Sequence, residues 1–137
     1  MPLISTKGVY GLTAMYELSK HEGESPMQIK EISSKANIPQ NYLEQLLSKL
    51  RRAELVKSIR GAKGGYILAK DPEEIIVKDI LIALEDDLKI IDNKADNPIL
   101  NIFFDDAKTG MKKIFDINLA KIDEYQDKYN EYLHYSI

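Results

Sequence analysis

Residues 39–68 read PQNYLEQLLSKLRRAELVKSIRGAKGGYIL, and the fold turns on them. In the first half, Leu43, Leu46, Leu47 and Leu50 recur at i, i+3, i+4 and i+7, the spacing of one buried stripe on an α-helix. At about 100° per residue, Asn41, Glu44, Gln45, Ser48 and Arg52 fall on the opposite side. Pro39 has no N–H to lose and a preset φ, which suits the start of a helix that the spacing carries to about Ala53. In the second half, Leu55–Ile59 alternates as a strand does. Arg60-Gly61-Ala62-Lys63-Gly64-Gly65 is a turn, and Tyr66-Ile67-Leu68 is the returning strand. The unit is a hairpin with a basic, glycine-rich tip.

Upstream, Ser5 or Thr6 can cap a helix running from about Lys7 to Lys20. Its apolar residues (Val9, Tyr10, Leu12, Ala14, Met15, Tyr16, Leu18) surround most of the axis, so it expects neighbours on more than one side. A turn over Glu22–Pro26, a short helix over Ile29–Lys35 and the tight link Asn37-Ile38-Pro39 complete the approach. Downstream, Ala69–Ile75 leads to a helix over Val77–Leu84, and the acidic stretch 85–97 reads mostly as loop. Asn97 can cap a helix with Pro98 at its first position. Leu100, Phe103, Phe104, Ala107, Met111, Ile114 and Phe115 then repeat at three- and four-residue steps for about five turns. Gly110 is a flaw in that helix, costing roughly 1 kcal/mol against alanine. Asn118 can cap a last helix, Leu119–Tyr135, striped by Ile122, Tyr125, Tyr129, Tyr132 and Leu133.

The order helix, short helix, tight turn, amphipathic helix, hairpin is that of a winged helix-turn-helix. The predicted fold is mainly α with a small β-hairpin wing. A DNA-binding domain over residues 1–85 and a loop over 86–97 precede dimerisation helices over 98–137.

Composition sets the bounds. A chain of 137 residues, 44% hydrophobic and 30% charged, is ordinary for a soluble globular domain and leaves no room for a separate catalytic one. No apolar run approaches the roughly 18 residues of a membrane span. The opening MPLISTKGVYG lacks a secretory pattern. With no cysteine there is no disulfide, thiolate metal site or cysteine nucleophile, which fits the cytoplasm. The net charge of −3 hides an asymmetry: residues 1–70 hold 11 Lys and Arg against 6 Asp and Glu, and residues 71–137 hold 8 against 16. A basic half of this kind points to a polyanion partner.

A recognition helix needs one apolar face for its own core and one polar face for a major groove. Asn and Gln can bond adenine in bidentate fashion, and Glu can accept from cytosine N4. The candidate DNA contacts are Gln40, Asn41, Tyr42, Glu44, Gln45, Ser48, Lys49 and Arg52 on the helix, and Ser58, Arg60, Gly61 and Lys63 on the wing. Lys49, Arg51 and Arg52 can lie near phosphates. Arg60 can enter a minor groove, where local negative potential favours arginine. The blander readings are a solvated helix face and a plain flexible hairpin tip. A phosphate-binding loop is not supported, since the Gly-Lys-Ser/Thr ending is missing.

Several motifs together carry a resemblance: Ser5-Thr6-Lys7-Gly8, Tyr10, Tyr42-Leu43-Glu44-Gln45-Leu46-Leu47, Leu50-Arg51, Leu55-Val56, and Arg60-Gly61 with Gly64-Gly65-Tyr66. They resemble the IscR/NsrR/CymR (Rrf-two) family of bacterial winged-helix regulators closely over residues 1–85, and mainly in layout from 98 onward. The resemblance implies a homodimeric repressor or activator whose long helix after the wing domain forms the dimer interface. It implies base reading by Glu44 and Gln45 and a wing contact by Arg60. The apolar surplus places the dimer interface on Leu100, Phe103, Phe104, Ala107, Met111 and Ile114.

Three departures stand out. Many members hold an iron–sulfur cluster through three cysteines in the loop before the dimer helix, and residues 86–106 here have none. Val9 stands where the family often has arginine, and Ala62-Lys63 replaces the usual Pro-Gly of the wing.

The expectation is a DNA-binding regulator without a cofactor or metal. It would act as a homodimeric repressor on a two-fold symmetric operator of double-stranded DNA, with no membrane partner. Any effector, small molecule or protein, stays unidentified. The alternative is a winged-helix interaction module that has lost DNA binding. An enzyme is not expected, because nothing assembles a nucleophile, a base and an orienter. His21 and His134 each sit alone, Asp86-Asp87 and Asp105-Asp106 read as solvated helix ends, and the late tyrosines read as core or interface.

Overall fold

A computed structural model of the chain describes residues 2–21 and 25–135. Of the turn expected over Glu22–Pro26, residues 22–24 lie outside the described residues. The leucine stripe forms the floor of the core. It belongs to α3 (Gln40–Arg52), and Leu43, Leu46, Leu47 and Leu50 are all at most 2% exposed. Each fully buried leucine contributes about 1.5–3 kcal/mol.

It packs against α1 (Thr6–Lys20) and α2 (Ile29–Ala36), which contribute Ala14, Met15, Leu18 and Ile32. From α4 (Val77–Glu85) come Ile80 and Leu84. α1 sits at the centre, touching α2, α3, α4 and the later turn 119–124. That explains why its apolar residues run round most of the axis, although Val9 remains exposed.

The turn between α2 and α3 is made by Asn37, whose φ of 56° and ψ of 50° reverse the chain. Asparagine tolerates this left-handed conformation. Its N–H and that of Ile38 both donate to the Ser33 carbonyl, and Ile38 drops into the core.

The hairpin joins β1 (Val56–Ile59) to β2 (Gly65–Leu68), antiparallel, with Val56 opposite Leu68 and Ile59 opposite Gly65. Met27 adds a third, single-residue rung: its N–H donates to the Tyr66 carbonyl at 3.0 Å, and Tyr66 N–H returns a bond at 2.8 Å. Gly65 makes this rung possible. Its φ is +152°, and a Cβ there would strike the Met27 carbonyl.

Two expectations about helix starts change. Ser5 flanks α1, but its hydroxyl makes no local cap and donates instead to Glu85 Oε1 at 2.7 Å. The last helix does not run unbroken from Leu119. Residues Leu119–Glu124 form a 3₁₀ turn, and only α6 (Tyr125–Tyr135) is α-helical. The cause is tethering: Leu119 N–H bonds Ile75 and Leu119 is fully buried, so this segment is held against the start of α4 while Asn118 Oδ1 caps Lys121 N–H.

Asn97 does cap α5 (Pro98–Ile114), accepting from Ile99 and Leu100 N–H. Of the 17 residues of α5 only Met111 is buried, in a small second core with Val77, Leu81 and Leu88.

Candidate nucleic-acid interface

The polar side of α3 faces outward beside the wing. Gln40, Asn41, Glu44, Gln45 and Arg52 are exposed, and Ser48 and Lys49 are half-buried. At about 100° per residue, Asn41, Gln45, Ser48 and Arg52 share the middle of the side opposite the leucines, with Glu44 on its flank. Arg52 Nε leans back onto the Ser48 carbonyl at 3.4 Å. Tyr42 is set apart from these: its half-buried ring meets Tyr10 edge-on, with centroids 5.6 Å apart, which ties α3 to α1.

On the wing, Ser58, Arg60, Gly61 and Lys63 are all exposed, and nothing lies within 4 Å of where a Gly61 side chain would begin. The other tip glycines serve the protein itself. Gly64 is buried with its Cβ position against the Ile59 carbonyl, and Gly65 accommodates Met27. Between α2 and the wing runs a groove of about 380 Å³ bordered by Gln28, Lys30, Ser58, Arg60 and Tyr66. Gln28 and Lys30, at the start of α2, were not singled out by sequence reasoning. Only the rung at Met27, a contact distant in sequence, brings them beside the hairpin.

Among the described residues no ion pair engages Lys30, Lys49, Arg51, Arg52, Arg60 or Lys63. Their charges are therefore available to a polyanion. Two carboxylates of the acidic half are paired within that half: Asp87 with Lys108 and Lys112, and Asp116 with Lys78.

The candidate dimer residues divide between two sides of α5. Met111 belongs to the chain's own core, and Phe104 and Ala107 are half-buried. Leu100, Phe103 and Ile114 are 47%, 61% and 71% exposed. Ile99, Phe103, Gly110 and Ile114 fall within an arc of about 60° at 100° per residue, an outer apolar stripe with Ile102 at its edge. The stripe expected as one is thus two adjoining strips of one broad arc, their centres about 80° apart. The tyrosines of α6 are not core: Tyr125, Tyr129 and Tyr132 are more than half exposed. Val9 lines an apolar groove with Leu12, Tyr16, Phe115 and Ile122, a surface that includes no residue of α3 or the wing.

The loop 86–97 does not offer what an iron–sulfur cluster needs. Cluster irons are held chiefly by thiolates, and the chain has no cysteine. Asp87 is occupied by two lysines, and no group of three His, Asp or Glu among the described residues is placed to hold a metal ion. His21 is engaged through Nε2 with the Ser25 carbonyl. Among the described residues no helix is long and apolar enough to cross a membrane.

Three helices, a tight turn and a hairpin with an outward recognition helix define a winged helix-turn-helix protein carrying an additional helical arm. The model of the Rrf2 family, described as iron-dependent transcriptional regulators, matches residues 4–132, and the chain belongs to that family. Over 82 residues it is 56% identical to the HTH-type transcriptional regulator CymR of Bacillus subtilis, a match spanning 60% of this chain and 59% of that protein. Over 83 residues it is 42% identical to the HTH-type transcriptional regulator IscR of Photorhabdus laumondii, spanning 61% of this chain and 51% of that protein. The solved structure of CymR, described as the global cysteine regulator of B. subtilis, superposes with a TM-score of 0.79 at 42% identity. It covers 91% of this chain and 98% of that one. The family read from the sequence motifs and the winged fold are thereby confirmed. The relatives are transcription regulators rather than enzymes.

Proposed function

We propose that this chain is a sequence-specific DNA-binding transcription regulator that acts as a homodimer on a two-fold symmetric operator and carries no iron–sulfur cluster. One observation carries the reading: the exposed polar face of α3 lies beside a wing whose Arg60 and Lys63 make no ion pair among the described residues. α3 enters the major groove, where Gln45 and Asn41 bond adenine edges and Glu44 accepts from cytosine. Arg52, Lys49 and Lys63 neutralise phosphates, which position the domain without reading sequence. Arg60 extends the wing toward the adjacent minor groove.

Two domains are joined through the outer stripe of α5, an apolar face that one chain leaves uncovered. The two-fold axis then sets the recognition helices one helical turn, about 34–36 Å, or a multiple of it apart. Repression by occupancy asks nothing of the protein beyond this binding, and repression is the mode proposed. With DNA as its target, the proposed site of action is the cytoplasm.

Selection of bound sites from a random DNA pool tests the reading. A consensus with two-fold symmetry and a fixed half-site spacing is expected. Recovery of unenriched sequence by a folded, dimeric protein would overturn it.

A further inference from the structure

α5 has few anchors on the winged domain. Met111 is its one buried residue, and beyond its end the Phe115 carbonyl accepts from Lys78 N–H. Just past that end the Ile117 carbonyl accepts from Val77 N–H and Asp116 pairs with Lys78. Along the helix itself, a further attachment is the three-residue segment Glu85-Asp86-Asp87, whose two outer carboxylates reach in different directions.

Glu85, the last residue of α4, turns toward the start of α1. Its Oε1 accepts from Ser5 N–H at 2.8 Å, Ser5 Oγ at 2.7 Å and Gly8 N–H at 3.2 Å. The first N–H groups of a helix lack partners within it, and a carboxylate suits the positive end of the helix dipole. A residue 80 positions away thus does the work of a local cap. Gly8 is shaped for this: a Cβ there would lie 2.6 Å from that same oxygen.

Asp87 turns the other way. Its two oxygens meet Lys108 at 3.0 Å and Lys112 at 3.1 Å, successive turns of one face of α5. Its Oδ1 also accepts the N–H of Leu88, which is fully buried beside Met111. Between the two carboxylates Asp86 has a φ of 69°, the reversal that lets neighbours point apart.

We propose that Glu85, Asp86 and Asp87 form a clasp that holds α5 at a set angle to the winged domain and so sets the distance between the two recognition helices of a dimer. Neither carboxylate touches DNA; both are positioning residues. The proposal rests on the reading of the chain as a dimeric DNA-binding protein. A change in the angle of α5 is carried to both recognition helices by the two-fold axis, so a loose clasp costs spacing discrimination rather than contacts.

The chain's lack of cysteine makes the test direct. Spin labels on Ser34→Cys in α2 and Thr109→Cys in α5, in chains diluted with unlabelled protein, report the distance between winged domain and arm. Electrophoretic mobility on selected two-fold sites, with spacings altered by one and two base pairs, reports discrimination. In Glu85→Ala and Asp87→Ala the distance distribution broadens. Preference for the native spacing falls about fivefold, the scale of one partly exposed ion pair, while dimer mass and affinity for a single half-site stay as in wild type. Asp87→Glu restores both readouts. Should either alanine variant fail to fold, Lys108→Ala with Lys112→Ala opens the clasp from the α5 side. An unchanged distance distribution in a folded variant overturns the clasp, and so does a broadened one with undiminished spacing preference. Wild-type protein that selects no DNA consensus instead refutes the DNA-binding reading, and the spin-label arm still judges the clasp.

Discussion

Phe103→Ala and Met111→Ala separate the two apolar sides of α5. Phe103 is 61% exposed in the single chain. A phenylalanine side chain has roughly 150–250 Å² to bury, so about 100–150 Å² remains for a partner. At about 25 cal/mol per Å² this is worth about 3 kcal/mol per copy. By two-fold symmetry the loss counts twice, about 6 kcal/mol per dimer or about four powers of ten in Kd. Phe103→Asp adds the cost of a desolvated charge. Met111 is 9% exposed and packs on Leu81 and Leu88. Its truncation costs about 2–5 kcal/mol of fold stability, with dimer affinity unchanged under conditions where the chain remains folded. Sedimentation over a dilution series measures the dimer Kd, and urea unfolding measures the fold. Wild-type dimer affinity in Phe103→Asp would refute the assignment of the outer stripe to the dimer. Loss of the dimer in a folded Met111→Ala would show that the inner side had been misassigned.

The DNA contacts divide by kind. Glu44→Ala and Gln45→Ala each change discrimination at one base position by about 1–3 kcal/mol, whereas Arg52→Ala and Lys63→Ala weaken all sequences alike and flatten the salt dependence by roughly one unit per lost contact. Equal loss on specific and random DNA for Glu44→Ala would contradict its role as a base reader. Tyr16 donates to Asp123 Oδ1 at 2.8 Å, and burial, reinforced by that bond and the Asp123 charge, pushes its hydroxyl up to about 12. The folded state therefore favours the neutral phenol. Its contribution is full below pH 10, the unfolded value, and is lost as pH rises from 10 toward 12. Urea midpoints between pH 8 and 11 fall more steeply in wild type than in Tyr16→Phe; parallel curves would refute this. Anaerobic purification yields colourless protein whose DNA affinity is unmoved by iron or oxidation, since no thiolate is present to hold a cluster. Stoichiometric iron and sulfide with a brown absorption band would contradict it.

The sequence alone determined whatever depends on local periodicity. Leu43, Leu46, Leu47 and Leu50 can share a face only on a helix, and that geometry places Asn41 and Gln45 outside whatever the leucines pack against. The strands around the basic, glycine-rich turn likewise close as a hairpin, although burial along them does not alternate as the sequence reading expected, and Asn97 caps α5 because its acceptor is two and three residues from the donors.

The tertiary structure decided what depends on direction and distance. The apolar residues of α5 occupy a broad arc, and nothing within it says which part faces its own chain. Leu88, seated by the preceding loop, chooses Met111 and leaves Phe103 to solvent. The cap of α1 was equally illegible. Ser5 has the chemistry for a local cap, but Glu85 arrives 80 residues later with a full charge and collects three donors. Gln28 and Lys30 reach the wing only through the rung at Met27, and the 3₁₀ turn at Leu119 exists because Ile75 holds it. In each case the deciding partner is far off in sequence. A helix pattern reports which residues must be buried, and only the path of the chain between helices determines what buries them.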